Sequence, residues 1–404
     1  MVKKQGRGKE TLFRLGSLSV LLILLGSCSN ETVADNVLEV EPIWEWELSD
    51  PLAEGINPAV IDSIHKDISD GKYGLLNHMF LVRNGKIVVD NHYEQDYEAI
   101  PMENDTTNHQ YNYDHPDWHP YYNNTELHSL QSVTKSITTV LVGIAVDEGY
   151  LAIDDTTIMN QFSDFNIDKT DQQKMSITVE DLLSMRSGIE WDEEDYEELD
   201  NDCVLMELSD DWIQFVLDKP MDTIPGSTFK YNGGATVLLG KILREVTGKR
   251  MDEWAEEKLF APLGITEYYW KETPMGEIDT EGGLYLKPKD FAKIGLLMLN
   301  KGKWENEQIV SKNWVEKSIE PTSVLNEDIS VGYVWWILEQ DNDTVEVYAA
   351  LGYGGQYLMI APRYNMFVVF NCWNTNTQNA REKYAWFILQ DLIIPGSNLD
   401  VTPN

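Results

Sequence analysis

Strand-forming patterns crowd the two ends of this chain and are nearly absent from its middle, and that distribution narrows the folds open to it. Near the N-terminal end, MFLVRNGKIVVDNHY (residues 79–93) alternates apolar residues about Asn84-Gly85. That dipeptide suits a two-residue type I′ turn, so the segment predicts a β-hairpin. Strand patterns return only late, over 331–338, 344–350, 357–361 and 367–373. Between the two groups the spacing predicts helices. Thr178 caps VEDLLSMRSG, which Gly188 would end, and further helices run over 233–247, 251–260, 291–300 and 312–318. A helix over 57–72 presents Ile61, Ile64 and Ile68 on one face before the hairpin, and a closing helix is expected over 381–393, followed by a frayed tail from Pro395. Strands at both ends with helices between them make one sheet the economical arrangement. The expected class is α/β (α+β): one sheet built from both chain ends, with a helical insertion. The helical region spans about 132–284, inserted in an α/β region of about 43–131 and 285–395. There is no internal repeat.

With 404 residues, 42% of them hydrophobic, the chain can bury a sizeable core as one large domain or two intimate ones. Its 68 acidic against 31 basic residues leave a net charge of −37. That excludes a nucleic-acid partner, whose phosphates need basic neutralisation, and disfavours anionic lipid surfaces. The N-terminus is the exception in charge. Lys3, Lys4, Arg7, Lys9 and Arg14 precede an apolar stretch from Leu15 to Gly26 that is too short to span a bilayer and fits a secretory signal. Its end, Leu25-Gly26-Ser27-Cys28, resembles the lipobox of bacterial lipoproteins, with Cys28 as the lipidated first mature residue. The alternative is an ordinary signal peptide with a chance cysteine. On the lipobox reading, residues 1–27 are signal peptide, 28–42 an acidic tether, 43–395 the folded domain and 396–404 a tail. The protein is then lipid-anchored in a bacterial cell envelope, periplasmic or outer-membrane. Cys203 and Cys372 remain as a disulfide or as two free buried thiols.

The search for chemistry begins with absences. All seven histidines lie between His65 and His128, and no G-x-S-x-G elbow occurs. His115 and His119 are four apart, but Pro116 argues against a helix that would align them as metal ligands. The spacing S-x-x-K occurs four times, at Ser63/Lys66, Ser69/Lys72, Ser132/Lys135 and Ser227/Lys230. Only the third opens a segment, Ile137 to Val146, that is apolar nearly all round and therefore belongs in a core. Residues three apart share a helix face, so the Ser132 hydroxyl and the Lys135 amine can meet. Burial would lower the lysine pKa and make a neutral amine available as a base. The competing reading is a helix start with Ser132 as cap and Lys135 snorkelling to water. Further along, Tyr231 precedes an apolar helix in PGSTFKYNGGATVLLG, where a nearby ammonium would ease its ionisation. Near the C-terminal end, paired glycines in LGYGGQYLMIAP open a strand and allow close backbone approach, either as an oxyanion donor beside the Ser132 N–H or as a simple tight bend.

Together these segments resemble the serine β-lactamase and penicillin-binding protein superfamily, especially its class C-like branch, which includes esterases and 6-aminohexanoate-dimer hydrolases. QSVTKS, ITVEDLLSMRSGIEW, GGLYLKPKDFAKIGLLMLNKGKW, VGYVWW and GYGGQ carry the resemblance through most of the chain. It implies a β-lactamase/transpeptidase-like fold, an antiparallel sheet flanked by helices beside an all-helical insertion, with the site at their junction. It implies Ser132 as acylated nucleophile, Lys135 as its lysine, and Tyr231 as the tyrosine of Y-x-N, a base or proton relay. Tyr353-Gly354-Gly355 stands where the family carries K-T-G or H-x-G, with Gln356 supplying the second oxyanion N–H. Two departures bear on substrate. Gly233 replaces the Asn of Y-x-N, and Tyr353 replaces the Lys or His that binds a substrate carboxylate.

The expected function is an exported serine hydrolase that cleaves an ester or amide bond of a small molecule through an acyl-enzyme on Ser132, with neither metal nor cofactor. The alternatives are a β-lactamase or D-amino peptidase acting on cell-wall peptides, and a non-catalytic ligand-binding lipoprotein. The loop from Tyr97 to Asn124, with His109, His115 and His119, is a candidate lid. The acidic run WDEEDYEELDND (191–202) reads as a solvated loop, since it lacks EF-hand spacing. Trp335 and Trp336 read as core residues near the site.

Overall fold

The computed structural model describes residues 44–95, 126–153, 157–194, 200–341, 344–374 and 384–401. The signal sequence, Cys28, the tether and the candidate lid with its three histidines lie outside the described residues. No helix among the described residues is long and apolar enough to cross a membrane.

Strands from the two ends of the chain do share one sheet. β1 (Glu47–Leu48), β2 (Leu76–Arg83) and β3 (Lys86–His92) join β9 (Ser323–Val324), β10 (Ser330–Val331), β11 (Trp336–Asp341), β12 (Thr344–Gly352), β13 (Gln356–Ala361) and β14 (Met366–Cys372). The order is β1-β3-β2-β14-β13-β12-β11-β10-β9, antiparallel except between β1 and β3. The long-range contact is β14 against β2, where Val368 pairs with Leu81 and Phe370 with Met79. At the β2–β3 turn, Asn84 and Gly85 both take positive φ (54° and 75°), as a type I′ turn requires. Two minor sheets lie between the ends. β4 (His128–Ser129), β5 (Tyr268–Trp270) and β6 (Leu284–Leu286) form one, and β7 (Lys303–Trp304) with β8 (Glu307–Gln308) the other.

The helices are α1 (Pro58–Ser69), α2 (Val133–Asp147), α3 (Val179–Leu183), α4 (Asp202–Glu207), α5 (Trp212–Asp218), α6 (Gly233–Thr247), α7 (Met251–Ala255), α8 (Pro288–Leu299) and α9 (Lys312–Ser318). Successive side chains of a strand point to opposite faces, and here both faces are buried. Phe80, Val82, Leu358, Phe367 and Val369 face the larger core with α2, α6 and α8. Met79, Leu81, Met359, Val368 and Phe370 face a second core beneath α1 and the π-helical stretch Ile388–Ile393. Helix α2 runs through the larger core. Gly143 lets the Trp314 indole lie where a Cβ would be, 2.2 Å from its Nε1.

Four sequence expectations need correction. The strand expected over 331–338 is two strands, because Gly332 lies where a Cβ would meet the Ser318 carbonyl at 2.2 Å and Val334 takes φ +58°. The helix begun at Thr178 stops at Leu183, with Met185 already left-handed at φ +55°. Gly188 instead serves the bridge between Ile189 and Met221, its Cβ position 2.3 Å from the Thr223 carbonyl. Of the expected closing helix, residues 381–383 lie outside the described residues, and from Tyr384 on the helical part is the π-helical stretch. The tail is not frayed as far as Asp400: the Arg83 guanidinium donates to the Asp400 carbonyl at 3.1 Å, and Asn57 donates to Gly396.

Candidate active site

Ser132 sits at the N-cap of α2 in helical conformation (φ −61°, ψ −9°), and its side chain makes no capping hydrogen bond. Gln131, just before it, takes φ +49°. A left-handed non-glycine residue costs of order 1–3 kcal/mol and persists only where its surroundings impose it. Those surroundings are the sheet. The Leu130 carbonyl lies 2.4 Å from where Gly352, the last residue of β12, would carry a Cβ. The nucleophile candidate is thus pressed against one end of the sheet with its hydroxyl unused by the helix.

Lys135 does not snorkel; it is fully buried. Its Nζ lies 2.9 Å from Ser132 Oγ, 2.6 Å from Glu281 Oε2 and 3.0 Å from the Glu281 carbonyl oxygen. Glu193 Oε1 is 3.8 Å away. Burial alone pulls a lysine pKa down. Here Glu281, Tyr231 and Glu193 outweigh it and hold Lys135 well above the ordinary lysine value. The expectation of a neutral amine is therefore reversed. The sequence showed the buried helix, but not the carboxylates that other segments bring to it.

Tyr231 stands just ahead of α6, which Asn232 caps through Ala235 N–H at 2.9 Å. The Lys135 ammonium lies 5.2 Å from the Tyr231 ring centre, and the phenol hydrogen-bonds with Ser132. Burial pushes the phenol up to about 12, against the downward pull of Lys135. Easier ionisation is thus also corrected: Tyr231 is a phenol at neutral pH. Trp336 lies beside it at 6.0 Å, ring to ring, while Trp335 is wholly in the core.

At the β12–β13 turn, Gly354 and Gly355 take φ +76° and +98°. A Cβ on Gly355 would lie 2.7 Å from Cys372 Cβ and Sγ. Asn374 N–H donates to the Gly354 carbonyl at 3.1 Å and holds the turn. The Gln356 side chain is turned into the sheet, donating to the Cys372 carbonyl at 2.5 Å, so it offers the site its backbone. Tyr353 is half-buried on the same turn. Cys203 and Cys372 are both free and buried, in different cores.

Two residues escaped the sequence reading. Glu193, in the supposedly solvated acidic run, is buried and accepts from Trp191 Nε1 at 2.7 Å and from Gly233 N–H at 2.6 Å. The neighbouring residues 195–199 lie outside the described residues. Glu281 comes from the loop before β6, where the Asp279 carboxylate accepts from the Glu281 and Gly282 N–H groups. Thr138 and Thr134 of α2 bind this loop through Thr280 O and Leu284 N–H. A Cβ at Gly233 would sit 3.1 Å from Glu193 Oε2 and 3.3 Å from Glu281 Oε2. The only sequence signal for either was the missing side chain at 233. Oxygens of Glu207, Asp279 and Glu281 lie within 4.8 Å of one another, and Lys135 and Lys271 supply the facing positive charge.

The family model described as Beta-lactamase matches residues 79–392. The 6-aminohexanoate-dimer hydrolase of Paenarthrobacter ureafaciens is 25% identical over 265 residues, 60% of this chain and 65% of that protein, so the match spans just under two thirds of the relative's length. Among solved structures, a provisionally named 6-aminohexanoate-dimer hydrolase from Bacillus anthracis superposes with TM-score 0.65 at 20% identity, covering 87% of each chain. A family VIII carboxylesterase superposes at 0.56 and 16% identity, covering 81% of this chain and 93% of the other. At these identities the structural likeness establishes the fold.

Proposed function

This chain belongs to the beta-lactamase family, a fold of serine hydrolases, and from that premise we propose that it is an exported enzyme cleaving an ester or amide through an acyl-enzyme on Ser132. One observation carries the reading: a serine hydroxyl unused by its own helix, 2.9 Å from a buried ammonium and hydrogen-bonded to a buried phenol. Packing alone demands none of the three.

In this reading Ser132 Oγ attacks the substrate carbonyl carbon while its proton passes to Lys135 or Tyr231, the two groups that hydrogen-bond with it. The carbonyl electron pair moves onto oxygen, facing the N–H groups of Ser132 and Gln356. Collapse breaks the bond to the leaving group, which takes its proton from the same pair. Water then repeats the attack on the acyl-enzyme and releases the acid. Gly233 and Tyr353 remove the groups that suit penicillin-like substrates, which favours neutral esters and small amides. The name of the Paenarthrobacter relative points to amides as well. Export and anchoring at Cys28 rest on the N-terminal sequence.

Intact-mass spectrometry after fluorophosphonate treatment tests the proposal on the protein and on Ser132→Ala. One adduct, lost in the variant, is expected, together with loss of turnover in a folded variant. No adduct on either protein would favour the non-catalytic binding lipoprotein.

A further inference from the structure

Lys135 is surrounded by groups that want its protons. The Glu281 carbonyl and carboxylate oxygens, 3.0 and 2.6 Å from Nζ, can only accept hydrogen bonds. The surrounding negative charge keeps Lys135 an ammonium, so with two N–H groups on Glu281 its third faces Ser132 Oγ at 2.9 Å. The Tyr231 phenol, which also hydrogen-bonds with that hydroxyl, holds its own proton. Neither neighbour of Ser132 is ready to take a proton outright. The nearest strong acceptor is one step further out, at Glu281.

Glu281 is built in from every side. Its backbone is held by Asp279, and its carboxylate shares a hydrogen bond with Glu207. Burial raises Glu207 well above the ordinary carboxylate range, which makes it the protonated partner. Lys271 stands behind Glu207 at 3.9 Å. Glu193 and Cys203 complete the ring of titratable groups, within 4.8 Å of a Glu281 oxygen. Gly233 leaves the space: its Cβ position is 3.1 and 3.3 Å from the two carboxylates that face Lys135.

Resting on the serine-hydrolase reading above, we propose that Glu281 is the positioning residue of this site. It holds Lys135 against Ser132 and takes a proton from Lys135 so that Lys135 can draw one from Ser132, in space that Gly233 leaves open. The step balances without a co-reactant. An Nζ proton first moves to Glu281 Oε2, the freed amine turns its lone pair to Ser132 Oγ, and it takes the hydroxyl proton as the Ser132 O–C bond forms, which makes Lys135 an ammonium again. When the leaving group departs with a proton delivered through Lys135 and Tyr231, Glu281 returns its proton to Lys135.

The test is the rate of fluorophosphonate adduct formation at Ser132 across pH, by intact mass, for the full chain and for Glu281→Gln and Glu281→Asp. Glu281→Gln is expected to label about 10²- to 10³-fold more slowly at neutral pH, the range of general acid–base catalysis. Its rate should climb with pH beyond the wild-type plateau, because Lys135 without its nearest carboxylate loses its proton sooner and becomes a base itself. Glu281→Asp should recover at least a tenfold part of the loss. A merely structural role would lower the rate by the same factor at every pH. Labelling of Glu281→Gln within threefold of wild type, with an unshifted profile, overturns the proposal and leaves the serine-hydrolase reading standing. Absence of labelling in the wild type overturns both. If Glu281→Gln does not fold, Gly233→Ala takes its place, since its methyl group would press on both carboxylates without changing a charge. A five- to twentyfold slowing with the same alkaline shift is expected, and an unchanged rate overturns the proposal.

Discussion

Replacing Lys135 by methionine keeps the apolar stem and removes only the ammonium, which makes it a direct measure of how the buried charges are balanced. Lys135 is fully buried, with Glu281 at 2.6 Å and Glu193 at 3.8 Å. Removing one partner of a buried ion pair leaves an uncompensated charge and costs about 3–5 kcal/mol. At about 2.1 cal/mol/K of unfolding entropy per residue, cooperative melting of the unit from Trp44 onward converts this to a drop of roughly 4–7 °C. The pH dependence is the sharper part. In the wild type the folded pKa of Lys135 is raised, so its stabilisation is complete below the unfolded lysine value and fades only as pH climbs through the folded value. Between pH 5 and 9 it contributes no slope. In the variant the Glu281 carboxylate is buried without the ammonium it contacts, which raises its folded pKa above the unfolded one. The folded state then binds more protons than the unfolded, and stability falls as pH rises. Thermal melts of both proteins at pH 5 and pH 8 should show a small gap at pH 5 and the full gap at pH 8. An equal gap at both values would refute the reasoning, because the cost would then be lost packing rather than charge.

Three other outcomes follow from the same geometry. Tyr231→Phe should lower kcat for a chromogenic ester by about 10²- to 10⁴-fold, the span of general acid–base catalysis, while the melting temperature changes little; unchanged kcat would remove Tyr231 from the proton path. Gly355→Ala forces a side chain into φ +98° and within 2.7 Å of Cys372, so a loss of at least ~2 kcal/mol is expected from backbone strain and clash together, read as a lower urea midpoint. Cys28→Ala should move the expressed protein from the detergent-rich to the aqueous phase on Triton X-114 partition, and retention in the detergent phase would count against a lipid anchor at that residue.

Much of the sheet was legible because its signals are local. Alternating residues about Asn84-Gly85 require a hairpin wherever it sits, and the apolar spacing over 233–247 makes a helix there. The failures were places where a distant segment overruled a local pattern. The run 331–338 reads as one strand until the Ser318 carbonyl occupies the space beside Gly332. WDEEDYEELDND reads as solvated until Trp191 and Gly233 bind Glu193 in the core. The tail reads as frayed until Arg83 meets it from β2.

The sequence by itself determined the hairpin, the buried helix that begins at Ser132, and the order of the segments that carry the family pattern. Periodicity, capping and turn chemistry act over a few residues and are written in the local chain. Tertiary structure alone decided the charge state of the site. Glu193 and Glu281 lie far from Lys135 along the chain, and only folding brings them within 3.8 and 2.6 Å of its ammonium. Burial by itself would have left Lys135 a neutral amine and Tyr231 a phenol. The carboxylates reverse the first and leave the second in place, because an opposite charge at contact distance outweighs the loss of water around a single ammonium.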